Sequence, residues 1–398
     1  MHLRSVDGAA ARGHRLSCAW TLAAAVGAAA PQEDAEPAGR ARAERLARER
    51  GELDARIGSL AADDQVEAFA RALREFLDAS GPPPYEGRWN EAKAGWVSLT
   101  EADRWLRWNR PSRDDGPPIA ADFARRNHPF PGIVDLSEQL HRHGIEFLLA
   151  VFPSRLELHP ELVLAPEIGS DEALVAAIGA GTTRFLRALN ERGVETVDLL
   201  PAFAQSRGSL APGAPGERGE RGAIYFRFCE HHWTPRGAEL AAEVVAGRIR
   251  AMPWYEAGPL REGTQFAIEP REAAFRATTR AAAQVFPSES LAFHGVRMLQ
   301  DPVGLPPARR SPIVVLSDSF ALFHGETEIG SSFVDHLSRH TGWTLDVIAP
   351  RGGAELTCRQ TLARRHDRLG GKRVVVWLVS SGLLRAAAGF RKVDLFEE

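Results

Sequence analysis

Between Arg40 and Ser80 apolar residues return at helical spacing against a background of Ala, Arg and Glu: first Leu46, Leu53, Ile57 and Leu60, then Val66, Phe69, Leu73 and Phe76. That period predicts two amphipathic helices. Gly81 and Pro82 to Pro84 cannot continue a helix and mark a boundary. Past it the pattern becomes helix alternating with strand. Residues 134–143 read as a helix, and Ile145 to Phe152, apolar apart from Glu146 and closed by Pro153, is the mark of a strand buried on both faces. Asp171 to Arg192 reads as a second helix and Val194 to Leu200 as a strand. Gly208 to Gly222, rich in Gly and Pro, reads as a surface loop. Pro235 to Arg250 reads as a third helix with proline in its first turn. Residues 252–310 carry no period strong enough to assign. Three further apolar runs, Pro312 to Leu316, Thr344 to Ile348 and Arg373 to Val379, bring the strands to five.

Five strands interleaved with helices predict an α/β fold of three layers on a mostly parallel five-stranded sheet, preceded by a helical N-terminal segment. The organisation expected is a signal peptide at 1–30, the helical segment at 31–84 and the α/β domain at 85–398. In such sheets a ligand site lies beyond the carboxyl ends of the strands.

The chain has 398 residues, 44% of them hydrophobic, enough for a full core. Its formal charge of −3, from 49 basic and 52 acidic residues, excludes a global field favouring nucleic acid, and no nucleic-acid partner is expected. Arg4, Arg12 and Arg15 precede an uncharged stretch from Leu16 to Ala30, a basic flank and short apolar run that describe a secretory signal, with a disordered Ala-rich terminus as the alternative. At 15 residues the stretch is shorter than the ~20 needed to span a bilayer. Export leaves Cys229 and Cys358 in an oxidising compartment, where a bridge and two buried thiols both stay open.

Two strand ends carry candidate chemistry. Ile313 to Leu316 stops at Ser317, Asp318 and Ser319. A serine at a strand-to-helix turn exposes its hydroxyl and can draw on helix-start N–H groups to stabilise an oxyanion, which makes Ser319 the nucleophile candidate; ordinary turn and cap chemistry is the alternative. The second segment gathers Glu230, His231, His232 and Trp233 just before the third helix. Glu230 and His232, one residue apart, fall on the same side of an extended segment and can act as orienting acid and base. Adjacent histidines in such a segment face opposite ways, and no partner set with zinc spacing stands nearby. His336 and His340 lie at i and i+4 but lack the acidic residue and third ligand of a metalloprotease pattern. No metal and no cofactor is expected.

Glu230 to Trp233, followed by Thr234 to Gly237, resembles the Asp-x-His-Trp segment of alginate O-acetyltransferases of the AlgJ/AlgX type, SGNH-hydrolase-like proteins of polysaccharide export. It is closer still to the related bacterial proteins named for an Asp-His-His-Trp motif. Ser317 to Phe320 is similar to their Gly-Asp-Ser-Phe nucleophile block, with support from Gly95 and Trp96 and from residues 144–155 and 193–201. The resemblance covers residues 95–384, and the acid and histidine precede the serine, as in that family. It implies an SGNH-like fold with Ser319 as nucleophile, His232 as general base and Glu230 as orienting acid. Three departures stand out: Glu230 in place of Asp, Ser317 in place of Gly, and a stretch from Trp377 to Gly382 where Glu and Arg are expected.

Arg351, in a turn with Gly352 and Gly353 beyond a strand, is expected at the active face, where it can hold a carboxylate or carbonyl; a tight turn with a solvated arginine is the other reading. Trp233 is a candidate substrate contact that can stack on a sugar ring, although an indole beside a catalytic loop more often packs under it. The function expected is an exported, periplasmic carbohydrate O-acetyltransferase acting on an exopolysaccharide, with a membrane-bound O-acyltransferase as the acetyl donor that the resemblance implies. A polysaccharide acetylesterase and a non-catalytic polysaccharide-binding or assembly protein are the alternatives.

Overall fold

The computed structural model describes residues 35–59, 63–80, 87–90, 95–108, 128–164, 171–207, 223–226, 232–257, 266–275, 288–299, 309–324, 330–365, 367–386 and 389–396. The expected signal peptide, the Gly/Pro boundary at 81–84, the loop at 208–222, Cys229 and Glu230 lie outside these residues.

Helices α1 (Ala35–Gly58) and α2 (Asp63–Ser80) form where the apolar period places them. Helix α1 docks through ions as much as through Leu53. Arg45 donates to both carboxylate oxygens of Glu195, at 2.9 and 2.8 Å, and Glu49 accepts from the Thr196 amide at 2.9 Å. Both partners sit on strand β4 (Glu195–Asp198), the edge of the main sheet. An edge amide that would otherwise stay open is thus capped by a helix side chain. Helix α2 instead buries Phe69 and Leu73 against Trp105 of helix α3 (Leu99–Trp108), which follows a short hairpin, β1 (Gly87–Asn90) and β2 (Gly95–Ser98).

Helix α4 (Pro129–Arg142) begins five residues before the apolar period does, because Pro129 suits a first turn and His128 Nδ1 accepts the Phe130 amide at 3.2 Å. Strand β3 (Glu146–Phe152) follows, then the single turn α5 (Arg155–Leu158). The helix expected over Asp171 to Arg192 is two helices, α6 (Glu172–Ile178) and α7 (Ala180–Glu191). The break falls at Gly179, where a Cβ would stand 2.2 Å from Leu200 Cδ2. Strand β4 ends at Asp198 rather than Leu200, since Leu200 already begins helix α8 (Leu200–Ser206) with Pro201 in its first turn. Helix α9 spans Pro235–Arg250, as its proline and period predict.

Residues 252–310 hold an antiparallel hairpin, β5 (Phe266–Phe275) and β6 (Glu289–Met298), in register from Phe266 opposite Met298 to Phe275 opposite Glu289. After the hairpin come β7 (Ile313–Leu316), the single turn α10 (Ser319–Leu322), α11 (Phe333–Thr341), β8 (Asp346–Ile348), α12 (Thr357–Ala363), β9 (Val374–Ser380) and α13 (Ser381–Leu384).

Five parallel strands form the main sheet in the order β4-β3-β9-β7-β8. Alternate side chains feed two cores. Leu148, Ala150, Val315, Val376 and Leu378 pack under α8, α9 and α11, while Leu149, Val151, Val314, Val375 and Trp377 pack under α4, α7 and α12. Covering both faces explains why β3, β7 and β9 read as continuous apolar runs. The expected three-layer α/β architecture is therefore the one observed.

Candidate active site

The carboxyl end of β7 opens onto residues that tie the sheet together before the chain turns. Ser317 donates its amide to Ile348 O at 3.1 Å and its hydroxyl to Leu378 O at 3.0 Å, cross-linking β7 to both neighbouring strands. Its backbone is not at positive φ, so the position where the motif resemblance implies Gly makes no demand here that only Gly can meet. Asp318 caps the next turn by accepting the Phe320 amide on Oδ1 at 3.0 Å. That bond commits an N–H that would otherwise be open to an oxyanion. Ser319 is the first residue of α10, and its carbonyl accepts from Phe323 N at 2.8 Å to close the turn.

His232 comes from the segment ahead of α9. Tyr225 and Trp233 form an antiparallel bridge, and Thr234 donates its amide to Ile224 O at 2.8 Å. Thr234 then caps α9 by accepting the Gly237 amide at 3.3 Å. A Cβ at Gly237 would come within 2.6 Å of Ile224 O, so only glycine lets the helix start so close to the segment that carries His232. The result is a fixed backbone next to the imidazole.

The two elements meet at the imidazole: His232 Nε2 lies 2.8 Å from Ser319 Oγ. A serine donating to Nε2 leaves the neutral ring's proton on Nδ1, the arrangement in which the ring can take the hydroxyl proton. The imidazole is buried and held by Phe320 and Phe323, with centroids 4.6 and 4.1 Å away. Glu230 lies outside the described residues, and its role as orienting acid rests on sequence alone.

Trp233 requires a correction. It is 0% exposed, wedged among Phe152, Phe203, Phe320 and Phe333, and presents no face to a sugar. The expected substrate contact is instead a core residue beneath the histidine. Arg351 stands exposed in the turn after β8, at the same end of the sheet as Ser319, and Gly352 there takes φ +62°. His336 is buried under α9, with Nε2 3.1 Å from Ser331 Oγ. Cys358 is a free thiol in the second core, and burial pushes it up to about 12.

Sequence reasoning missed a buried ion pair at the ends of β3 and β9. Glu157 of α5 meets Arg385, just past α13, and both side chains are sealed from solvent. Glu157 also accepts the Ser154 amide at 2.9 Å and bonds the Ser381 hydroxyl, while Arg385 donates to Thr182 Oγ1 at 3.0 Å. Each charge is thereby partnered, as burial demands. The stretch from Trp377 to Gly382 thus lacks an acid and an arginine of its own, yet Ser381 joins a network that contains both. No local pattern signals a pairing across this distance in the chain.

A family model described as the SGNH hydrolase-like domain of the acetyltransferase AlgX matches residues 103–379. The alginate biosynthesis protein AlgX of Pseudomonas aeruginosa is 28% identical over 181 residues, 45% of this chain and 33% of that protein. From the same bacterium, the protein named probable alginate O-acetylase AlgJ is 28% identical over 116 residues, 29% of this chain and 25% of that protein. The matches therefore span only a third and a quarter of those relatives. Among solved structures, the O-acetyltransferase domain of Pseudomonas putida AlgJ has a TM-score of 0.50 at 16% identity, covering 75% of this chain and 91% of that one, a likeness of fold.

Proposed function

The chain belongs to the family of SGNH hydrolase-like domains of the acetyltransferase AlgX, and from that premise we propose that it is an exported O-acetyltransferase that acylates hydroxyls of an exopolysaccharide through an acetyl-serine on Ser319. The observation that carries the reading is the 2.8 Å contact between His232 Nε2 and Ser319 Oγ at the carboxyl end of a central strand. Ser319 Oγ attacks the acetyl carbonyl of the donor as its proton passes to Nε2, and the leaving group departs with that proton. A sugar hydroxyl then gives its proton to the same nitrogen and attacks the ester carbonyl. Ser319 recovers the proton as its bond to the acetyl group breaks.

In this reading Glu230 holds the imidazole from Nδ1, and Arg351 supplies an exposed cation for a carboxylate or carbonyl of the substrates. Relatives named for alginate biosynthesis and alginate O-acetylation motivate a polysaccharide hydroxyl as acceptor. A membrane-bound O-acyltransferase is the donor that the family resemblance implies. Export rests on the arginine-flanked apolar run at residues 16–30; among the described residues no helix is long and apolar enough to cross a membrane.

The test is intact-mass spectrometry after incubation with an activated acetyl ester, followed by addition of an oligosaccharide. One acetyl adduct on wild type, none on Ser319→Ala, and an acetylated sugar are expected. An adduct that survives the substitution removes Ser319 from the reaction. Release of acetate with no acetylated sugar makes the protein an acetylesterase, and glycan binding without any adduct makes it a binding protein.

A further inference from the structure

His324 is pointed to by neither motif nor resemblance. Its backbone sits at φ +76°, a left-handed conformation that a β-carbon makes costly. Non-glycine residues persist there where their surroundings over-determine them, and such places concentrate at functional sites. The turn brings the ring back from the end of α10 to the segment that carries His232, with Nε2 3.2 Å from Trp233 O. A carbonyl only accepts, so Nε2 carries the proton in this contact. The ring is buried and packs on Phe323, Phe275 and Phe226, with centroids 4.2, 5.1 and 5.7 Å away. Its own carbonyl accepts from Ser331 N at 3.3 Å. The elements that deliver serine and imidazole are therefore joined twice, at His232 by Ser319 and at the next residue by His324.

We propose that His324 is a positioning residue: by holding the Trp233 carbonyl it fixes the backbone beside His232 and keeps the imidazole in line with Ser319 Oγ. The proposal rests on the acyl-enzyme reading above. Side-chain amides can separate this role from simple packing. The nitrogen of Gln reaches roughly where Nε2 of histidine lies, whereas that of Asn reaches only roughly as far as Nδ1. Asn tolerates the left-handed backbone better than Gln does, and Gly removes strain and hydrogen bond together.

The experiment measures the rate at which Ser319 is acetylated by an activated ester, followed by intact mass, in the full-length protein and in His324→Gln, His324→Asn and His324→Gly. Because misplacing a base by about 1 Å costs on the order of 100-fold, the Asn and Gly variants are expected to react roughly 10- to 100-fold more slowly. The Gln variant is expected to stay within about threefold of wild type, since it keeps the donor. Asn and Gly variants as fast as wild type would overturn the proposal, as would a Gln variant as slow as Gly, which would reduce the ring to packing. A wild type that takes no adduct removes the acyl-enzyme reading and this proposal with it, whereas a reactive wild type with unaffected variants removes only the proposal.

Discussion

Phe323 lies flat against the imidazole of His232, ring centroids 4.1 Å apart and planes 8° from parallel. Phe320 packs on the same imidazole, at 4.6 Å and 50°. One turn of chain, Ser319 to Phe323, thus carries the serine and both rings that hold its partner histidine. Phe323→Leu keeps apolar volume but loses the parallel face. Acylation of Ser319 is expected to slow by roughly tenfold, since alignment is what the stack supplies. Rapid-quench mass spectrometry reads the rate; an unchanged rate would show that Phe320 and the backbone suffice.

Ser317 stands where the motif resemblance implies Gly, and the structure gives it a task in its buried bond to Leu378 O. Ser317→Gly loses that bond and adds backbone freedom to the unfolded chain. A loss of about 1–2 kcal/mol is expected, from a net hydrogen bond and the glycine entropy cost. Urea denaturation measures it, and a variant as stable as wild type would mean that the carbonyl finds another donor.

The Glu157–Arg385 pair is sealed from solvent on both sides. Removing one partner strands the other charge, so Arg385→Met alone is expected to cost about 3–5 kcal/mol. Combining it with Glu157→Leu should recover much of that loss, because the burial penalty of both charges goes with them. A double variant no more stable than Arg385→Met would place the importance of Glu157 in its bonds to Ser154 and Ser381 instead.

His336 is neutral in the fold. Burial drives its imidazole down to about 3; Glu239 opposes the shift, and His340, Arg339 and His294 add to it. The unfolded ring titrates near ~6.5. Between those values the unfolded chain holds a proton that the folded chain does not, so this contribution is complete above the upper value and is lost as the pH falls. The slope is up to about 1.4 kcal/mol per pH unit. His336→Gln, which can keep a contact with Ser331, should unfold less steeply in acid. Superimposable acid-unfolding curves would count against the assignment.

What could be read from the chain was whatever its neighbours in sequence decide. Helix α9 was placed from Pro235 to Arg250 because a proline, a cap and a 3.6-residue period act within a few turns. Strands β3, β7 and β9 are readable because burial on both faces leaves them apolar apart from Glu146 and Ser380 at their ends. The β5/β6 hairpin is not. It is covered on one side only, and along β5 half-buried positions include Glu269 and Arg271 while Ile268 is exposed, which erases the contrast of alternation. What excludes a side chain at Gly179, where α6 gives way to α7, is Leu200, a residue of another helix, and no local signal carries that collision.

The same division runs through the site. A serine at the end of an apolar strand and a histidine ahead of a proline-started helix are local features, so Ser319 and His232 could be named from the chain, together with the α/β class that sets both at strand ends or helix starts. Their separation of 2.8 Å, the burial of Trp233, the pairing of Glu157 with Arg385 and the bond from His324 to Trp233 O belong to the folded molecule. Those contacts join residues 87, 228 and 91 positions apart. They exist because the sheet sets β9 between β3 and β7 and closes helices over both faces, and no property of a short stretch of chain encodes which distant side chains that ordering will bring face to face.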